Sequence, residues 1–167
     1  MQIRFEVEKD GVAVHALNTA SFDTRAEADL VDALRVQAQP FVSLVAEDEG
    51  LVVGHIMFTP VSLSGHPQLK IMGIGPMAVE SSRQRKGIGS GLVRAGLEEC
   101  RKLGFGAVVV LGHAEYYPRF GFVKSTEYGI DSEYKVRPEY FMALELQDGY
   151  LRGVSGTIKY NAVFGNV

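Results

Sequence analysis

The segment Gln84-x-x-Gly87-x-Gly89 has the residue types and spacing that point most directly to chemistry in this chain. It lies between an apolar strand-like run, Ile71 to Val79, and a helix-like run, Gly91 to Leu103. A strand, a glycine turn and a helix in that order aim backbone N–H groups at phosphate. The first N–H groups of a helix lack partners within it, and the helix dipole adds partial positive charge there. Gly87 and Gly89 have no Cβ to keep a diphosphate away from the backbone. Arg83, Arg85 and Lys86 form the dense basic cluster beside the turn, and three charges suit a small anion better than a polymer. With a net charge of −3, a large nucleic-acid surface is not expected.

Spacing separates the phosphate loops. A P-loop needs Gly-x-x-x-x-Gly-Lys-Ser/Thr, which no segment supplies. A Rossmann fingerprint needs Gly-x-Gly-x-x-Gly, whereas this turn has Gly87, Gly89 and Gly91 and follows a hairpin rather than the first strand of a βαβ unit.

The remaining pattern resembles the pyrophosphate loop of the GNAT superfamily of N-acyltransferases, Gln/Arg-x-x-Gly-x-Gly/Ala. Gly75-Pro76-Met77-Ala78-Val79 is similar to the strand before that loop. Val109 to His113 lead into Tyr116-Tyr117-Pro118-Arg119-Phe120-Gly121-Phe122, which resembles the later Tyr-x-x-x-Gly-Phe segment. With Phe141 to Leu146, the chain resembles the YhbS-like branch of the family. The resemblance implies one α/β domain over residues 1–167, a mixed, mostly antiparallel sheet flanked by helices. It also implies transfer of an acetyl group from acetyl-CoA to a primary amine by direct attack on the thioester.

The residue roles implied by the resemblance have physical sense. The strand Leu69 to Val79 holds Gly73, Gly75 and Pro76, which a regular central strand does not tolerate. In the family this strand bulges, and Met77, Ala78 and Val79 match the positions whose backbone pairs with the pantetheine arm. Gln84 opens the loop, and the diphosphate is expected on the N–H groups of Arg85, Lys86, Gly87, Ile88, Gly89 and Ser90. A backbone N–H near Met77 would polarise the thioester carbonyl. Tyr117 matches the tyrosine that acts as general acid, and a phenol of reference pKa about 10 holds its proton near neutrality. Tyr116 is the weaker choice, because adjacent helical side chains diverge by about 100°. The base is open: Glu80, His55, His113 and a water route all remain. A CoA-binding sensor without turnover is the alternative, since it keeps the glycine loop and has no need of Tyr117.

Other elements frame these residues. Ile3, Phe5 and Val7 alternate like a strand, and Asp10 to Ala20 reads as a short helix. Thr24 and Glu27 form a capping-box pattern for a helix to Gln37. Phe41 to Glu47 and Leu51 to Pro60 read as strands joined by Asp48-Glu49-Gly50, with a loop expected over Val61 to Gln68. Gly104 is the expected stop of the helix after the glycine turn. Ala107 to Leu111 reads as a strand buried on both faces, Glu115 to Phe120 as a helical turn, and Phe141 to Leu146 and Gly156 to Tyr160 as late strands.

Composition bounds the setting. No apolar run approaches the ~18–20 residues of a membrane span, and the N-terminus has no signal-peptide profile. The one cysteine, Cys100, agrees with a reducing cytoplasm. The four histidines lack metal-ligand spacing, so no metal is expected. Acceptor specificity is assigned to Leu17–Pro40, Val61–Lys70 and Ser125–Pro138. Glu127, Asp131, Glu133 and Glu139 favour a cationic small-molecule or peptide amine. A homodimer through the late strands fits the family resemblance.

Overall fold

Asp48, Glu49 and Gly50 turn the chain through a tight hairpin in the computed structural model, which describes residues 1–166. Glu49 and Gly50 have φ of 51° and 81°, and two left-handed residues in a row match the twist of the flanking strands. Those strands are β2 (Val42–Asp48) and β3 (Leu51–Leu63), and β1 (Gln2–Phe5) pairs antiparallel with β2. The register shifts from Ala46↔Gly54 to Glu47↔Val52, so Val53 is an extra, bulged residue. Its carbonyl accepts the N–H of Glu80 at 2.9 Å.

The chain divides into two compact units. The first holds Met1–Thr59, Gly75–Glu99 and the segment from Ala162. Helices α1 (Gly11–Ser21) and α2 (Ala26–Gln37) belong to it. Val14, Leu30, Val31, Leu34 and Ala38 bury an apolar stripe against Val45 and Met57 on one face of the hairpin. The opposite face carries Ala46, Gly54 and Phe58 and receives α3 (Ile88–Lys102). A Cβ on Gly54 would lie 3.0 Å from Ile88 and 3.1 Å from Leu92, so this bare spot lets α3 close on the strand.

Gly96 makes the tightest such approach, for a Cβ there would sit 2.0 Å from Cε1 of the fully buried Phe58 ring. Gly96→Ala therefore loses stability although alanine favours helix: overpacking costs about 1–3 kcal/mol, against a propensity gain of at most ~1 kcal/mol. A urea midpoint equal to or above that of the parent would refute this account of the contact.

The second unit holds Pro60–Ile74 and Cys100–Asn161. Here β4 (Ile71–Val79) begins, and its residues Ile71–Ile74 pair parallel with β5 (Ala107–Leu111). β8 (Phe141–Glu145) pairs antiparallel with β5 and with the short β6 (Val123–Lys124). The end of β3 pairs antiparallel with β9 (Gly156–Lys159), which also takes β7 (Ile130–Ser132) in parallel. The pairing is thus mixed and mostly antiparallel. Val61, Leu63, Ile71, Val109, Phe141 and Ile158 are among the residues that form the core of this unit. Gly104, with φ 86°, ends α3 as expected, and Lys70 donates from Nζ to the Leu103 carbonyl at 3.1 Å.

Three expectations change. β3 continues to Leu63 where a loop was expected, because Ser62 and Leu63 find partners in Lys159 and Ile158. The Thr24 hydroxyl accepts the N–H of Ala26 at 3.1 Å, a local turn rather than a capping box, and α2 starts at Ala26. α3 begins at Ile88, before the Gly91 start read from the apolar stripe.

Candidate active site

The glycine segment belongs to the first unit and leaves β4 by a 3₁₀ turn, Ser81–Arg83. Several bonds shape it. Gln84 donates from Nε2 to the Val79 carbonyl at 3.1 Å, clasping the loop to the strand end. Arg83 donates from Nε to Glu80 Oε2 at 3.1 Å and from Nη1 to the Asp48 carboxylate. Arg83 is therefore engaged as a brace between the hairpin and the loop, leaving Arg85 and Lys86 as the exposed basic pair.

Arg85 and Gly87 have φ of 65° and 86°. Left-handed residues alternating along a short loop turn successive N–H groups inward, the concave arrangement that holds anions. The Gly91 N–H bonds the Gly87 carbonyl at 3.0 Å, so Gly87 heads α3 and the following N–H groups face the loop. Ile88 is anchored at 6 % exposure, while Gly89 and Ser90 are half-buried. A hollow of about 470 Å³ lies alongside, lined by Met1, Asp48, Ser82, Arg83, Lys86 and Ile88. On β4, Met77 and Val79 are half-buried on one side and Ala78 is buried on the other. The bond from Gln84 occupies the Val79 carbonyl, which narrows what the backbone there can offer.

Tyr117 lies in the second unit, at the start of a 3₁₀ turn, Tyr117–Phe120. It is 7 % exposed. Its ring covers Gly112, where a Cβ would stand 2.3 Å from Cε2, and meets Phe122 edge-on at 5.7 Å. Burial pushes the phenol up to about 12, so it is protonated throughout the neutral range. Tyr116 meets the Tyr117 ring edge-on, with centroids 5.1 Å apart and planes at 89°, and carries the Arg119 guanidinium 4.4 Å over its own ring.

The base candidates separate. His55 is fully buried, lies between Asn18 and Ser43, and is held neutral by desolvation down to about 4. Such a group cannot meet an incoming amine, and His55 leaves the list. Glu80 is paired with Arg83, and His113 is exposed. Of the acids expected to attract a cationic acceptor, Glu139 pairs with Arg137 at 2.9 Å and Glu133 accepts the Tyr160 N–H at 2.5 Å. Glu127 and Asp131 are exposed.

His15, Asp29 and Asp32 bring donor atoms within 4.8 Å of one another across α1 and α2, a grouping invisible in linear spacing. Arg35 Nη1 at 2.6 Å and His15 Nδ1 at 2.9 Å already engage Asp32, so ion pairing accounts for the cluster.

Comparison with known proteins places the chain in a family. The model of the acetyltransferase (GNAT) family matches residues 12–122. The chain is 35 % identical over 165 residues to the uncharacterized N-acetyltransferase YhbS of Escherichia coli K12, covering 98 % of each protein. It is similar to the crystal structure of E. coli YhbS in complex with CoA, with TM-score 0.92 and 34 % identity, covering 98 % of this chain and 91 % of that one. A GNAT acetyltransferase from Brucella melitensis in complex with acetyl-CoA gives TM-score 0.79 at 34 % identity, covering 98 % of this chain and 97 % of that one. The family match over most of the chain, and an end-to-end relative at this identity, establish that the chain belongs to the GNAT family and is an N-acetyltransferase.

Proposed function

We propose that the protein binds acetyl-CoA and transfers its acetyl group to a primary amine of a small molecule or peptide by direct attack on the thioester. The observation that carries this reading is the loop from Arg85 to Ser90, with left-handed residues at Arg85 and Gly87 heading α3. Its N–H groups suit the diphosphate, with Arg85 and Lys86 adding attraction reduced by solvent screening. The hollow beside Lys86 has room for part of the nucleotide end of CoA. Two relatives at 34 % identity hold CoA and acetyl-CoA, which supports the same donor here. Met77, Ala78 and Val79 would contact the pantetheine arm through their backbone.

In the chemical step the amine loses a proton, attacks the thioester carbon, and the carbon–sulfur bond breaks to release CoA thiolate. Tyr117 supplies the proton to that sulfur. Its raised pKa keeps the proton in place but makes it a weak acid, so transfer follows the growth of charge on sulfur. With His55 buried, the amine proton leaves through water or through an exposed group. Residues 1–167 are read as one acetyltransferase domain, since β3, β4 and α3 each continue from one unit into the other and the family match spans both.

The test combines calorimetric titration of acetyl-CoA with thiol release over a panel of amines, peptides and aminoglycosides. Saturable binding is expected, together with ~2.7 kcal/mol of added stability at a hundred times Kd, read as a higher melting point. Thiol should be released with at least one acceptor. Failure to bind CoA would remove the proposal, and binding without release on any acceptor would favour a sensor.

A further inference from the structure

Five side chains from five segments of the first unit form one continuous line of hydrogen bonds. Arg35 of α2 donates from Nε and Nη2 to the two oxygens of Glu6, at 3.0 and 2.6 Å. Ser43 of β2 donates from Oγ to Glu6 Oε1 at 2.8 Å. His55 of β3 places Nε2 2.9 Å from Ser43 Oγ, and Asn18 of α1 places Nδ2 3.3 Å from His55 Nδ1. Asn18 Nδ2 also donates to the Val14 carbonyl at 3.1 Å.

The polarity of this line is forced. A carboxylate only accepts, so the single proton of Ser43 goes to Glu6. His55 must then donate to Ser43 from Nε2, which leaves Nδ1 bare to accept from Asn18. The orientation of the Asn18 amide agrees, because its nitrogen rather than its oxygen faces the Val14 carbonyl. One atom does not fit this arrangement: Asn18 Oδ1 is buried and has no hydrogen-bond partner. A half-turn of the amide exchanges Oδ1 and Nδ2, and sets that oxygen against Nδ1. The exchange gives a protonated Nδ1 an acceptor and gives up the amide bond to the Val14 carbonyl, so it proceeds only when Nδ1 carries a proton.

We propose that Asn18 and His55 form a two-position latch between α1 and the β2–β3 hairpin. In the resting position the amide nitrogen meets a bare Nδ1, and in the other the amide oxygen meets a protonated Nδ1, with proton uptake by His55 driving the exchange. Burial holds His55 down to about 4, so the neutral position is the resting one. The charged groups around it are few. Glu6 attracts a proton to His55, and Arg35 opposes it. Asp32 lies beyond Arg35 and is shared with His15 of α1. On the same face of β1 and β2, Arg4 is paired with Asp10 and Glu47. The latch does not depend on the acetyl-transfer reading.

The test is long-range ¹H–¹⁵N spectroscopy of the histidine rings in the full chain, from neutral to acid pH, with His66 and His113 as internal references. His55 is expected to carry its proton on Nε2 at neutral pH. In Asn18→Asp an acceptor faces Nδ1 permanently, and the His55 midpoint should rise by ~1–3 units. A proton on Nδ1 at neutral pH, or an unmoved midpoint in the variant, would overturn the latch. Ser43→Ala gives a second route should Asn18→Asp not fold. It removes the acceptor that keeps the proton on Nε2, so His55 should become a mixture of tautomers, and an unchanged Nε2 tautomer would also overturn the latch.

Discussion

Tyr117→Phe is expected to lower kcat by about 10²–10³-fold while changing the KM for acetyl-CoA little, if Tyr117 is the acid that protonates the leaving thiolate. The substitution removes only the hydroxyl. The ring that covers Gly112 and meets Phe122 is retained, so the packing of the second unit is preserved and lost turnover reports on chemistry. A phenol raised to about 12 holds its proton from pH 6 to 9, so it should add no limb of its own to the neutral pH–rate profile. Steady-state kinetics from pH 6 to 9 decides the matter. Turnover equal to the parent across that range would make Tyr117 a packing residue over Gly112.

The second large effect is the dependence of stability on pH that His55 imposes. Its folded pKa of about 4 lies below the unfolded value of 6.5, because burial disfavours the imidazolium. Above pH 6.5 both states are neutral at this site and no penalty exists. As pH falls from 6.5 towards 4 the unfolded chain takes up the proton first, and stability declines until the folded state also binds it. The total loss is roughly 3 kcal/mol from this one group. Asp10, whose carboxyl the Arg4 guanidinium holds below its usual range, acts in the same direction but at lower pH, below 3.8. Urea midpoints of the parent and His55→Gln, compared at pH 7 and pH 4.5, separate the two. The variant is expected to start less stable and to lose less between these pH values. Parallel declines in parent and variant would show that His55 does not carry the effect.

Features set by short-range chemistry were legible in the chain. The hairpin at Asp48-Glu49-Gly50, the stop at Gly104 and the strand from Ala107 to Leu111 depend on a few neighbouring residues, and each lies where expected. The glycine loop belongs with them. A strand, two glycines at fixed spacing and a following helix set the loop through local backbone geometry alone, and the family resemblance rests on that pattern with the Tyr117 to Phe122 segment.

What only the tertiary structure decided depends on residues remote in sequence. The left-handed Arg85 has no compositional sign, because nothing in an arginine announces positive φ. The bulge at Val53 holds the N–H of Glu80, and Asp48 takes Arg83 from the cations first credited to the ligand. Gly96 reads as a helix defect until Phe58 is seen across it. His55, 37 positions from Asn18 in the chain, reads as an accessible base until burial and its two partners make it a structural group. A chain written in one dimension specifies turns, periods and the glycine loop through neighbours. Which charges are left exposed at that loop, and which polar groups are withdrawn into the core, is decided when distant segments pack and desolvate one another.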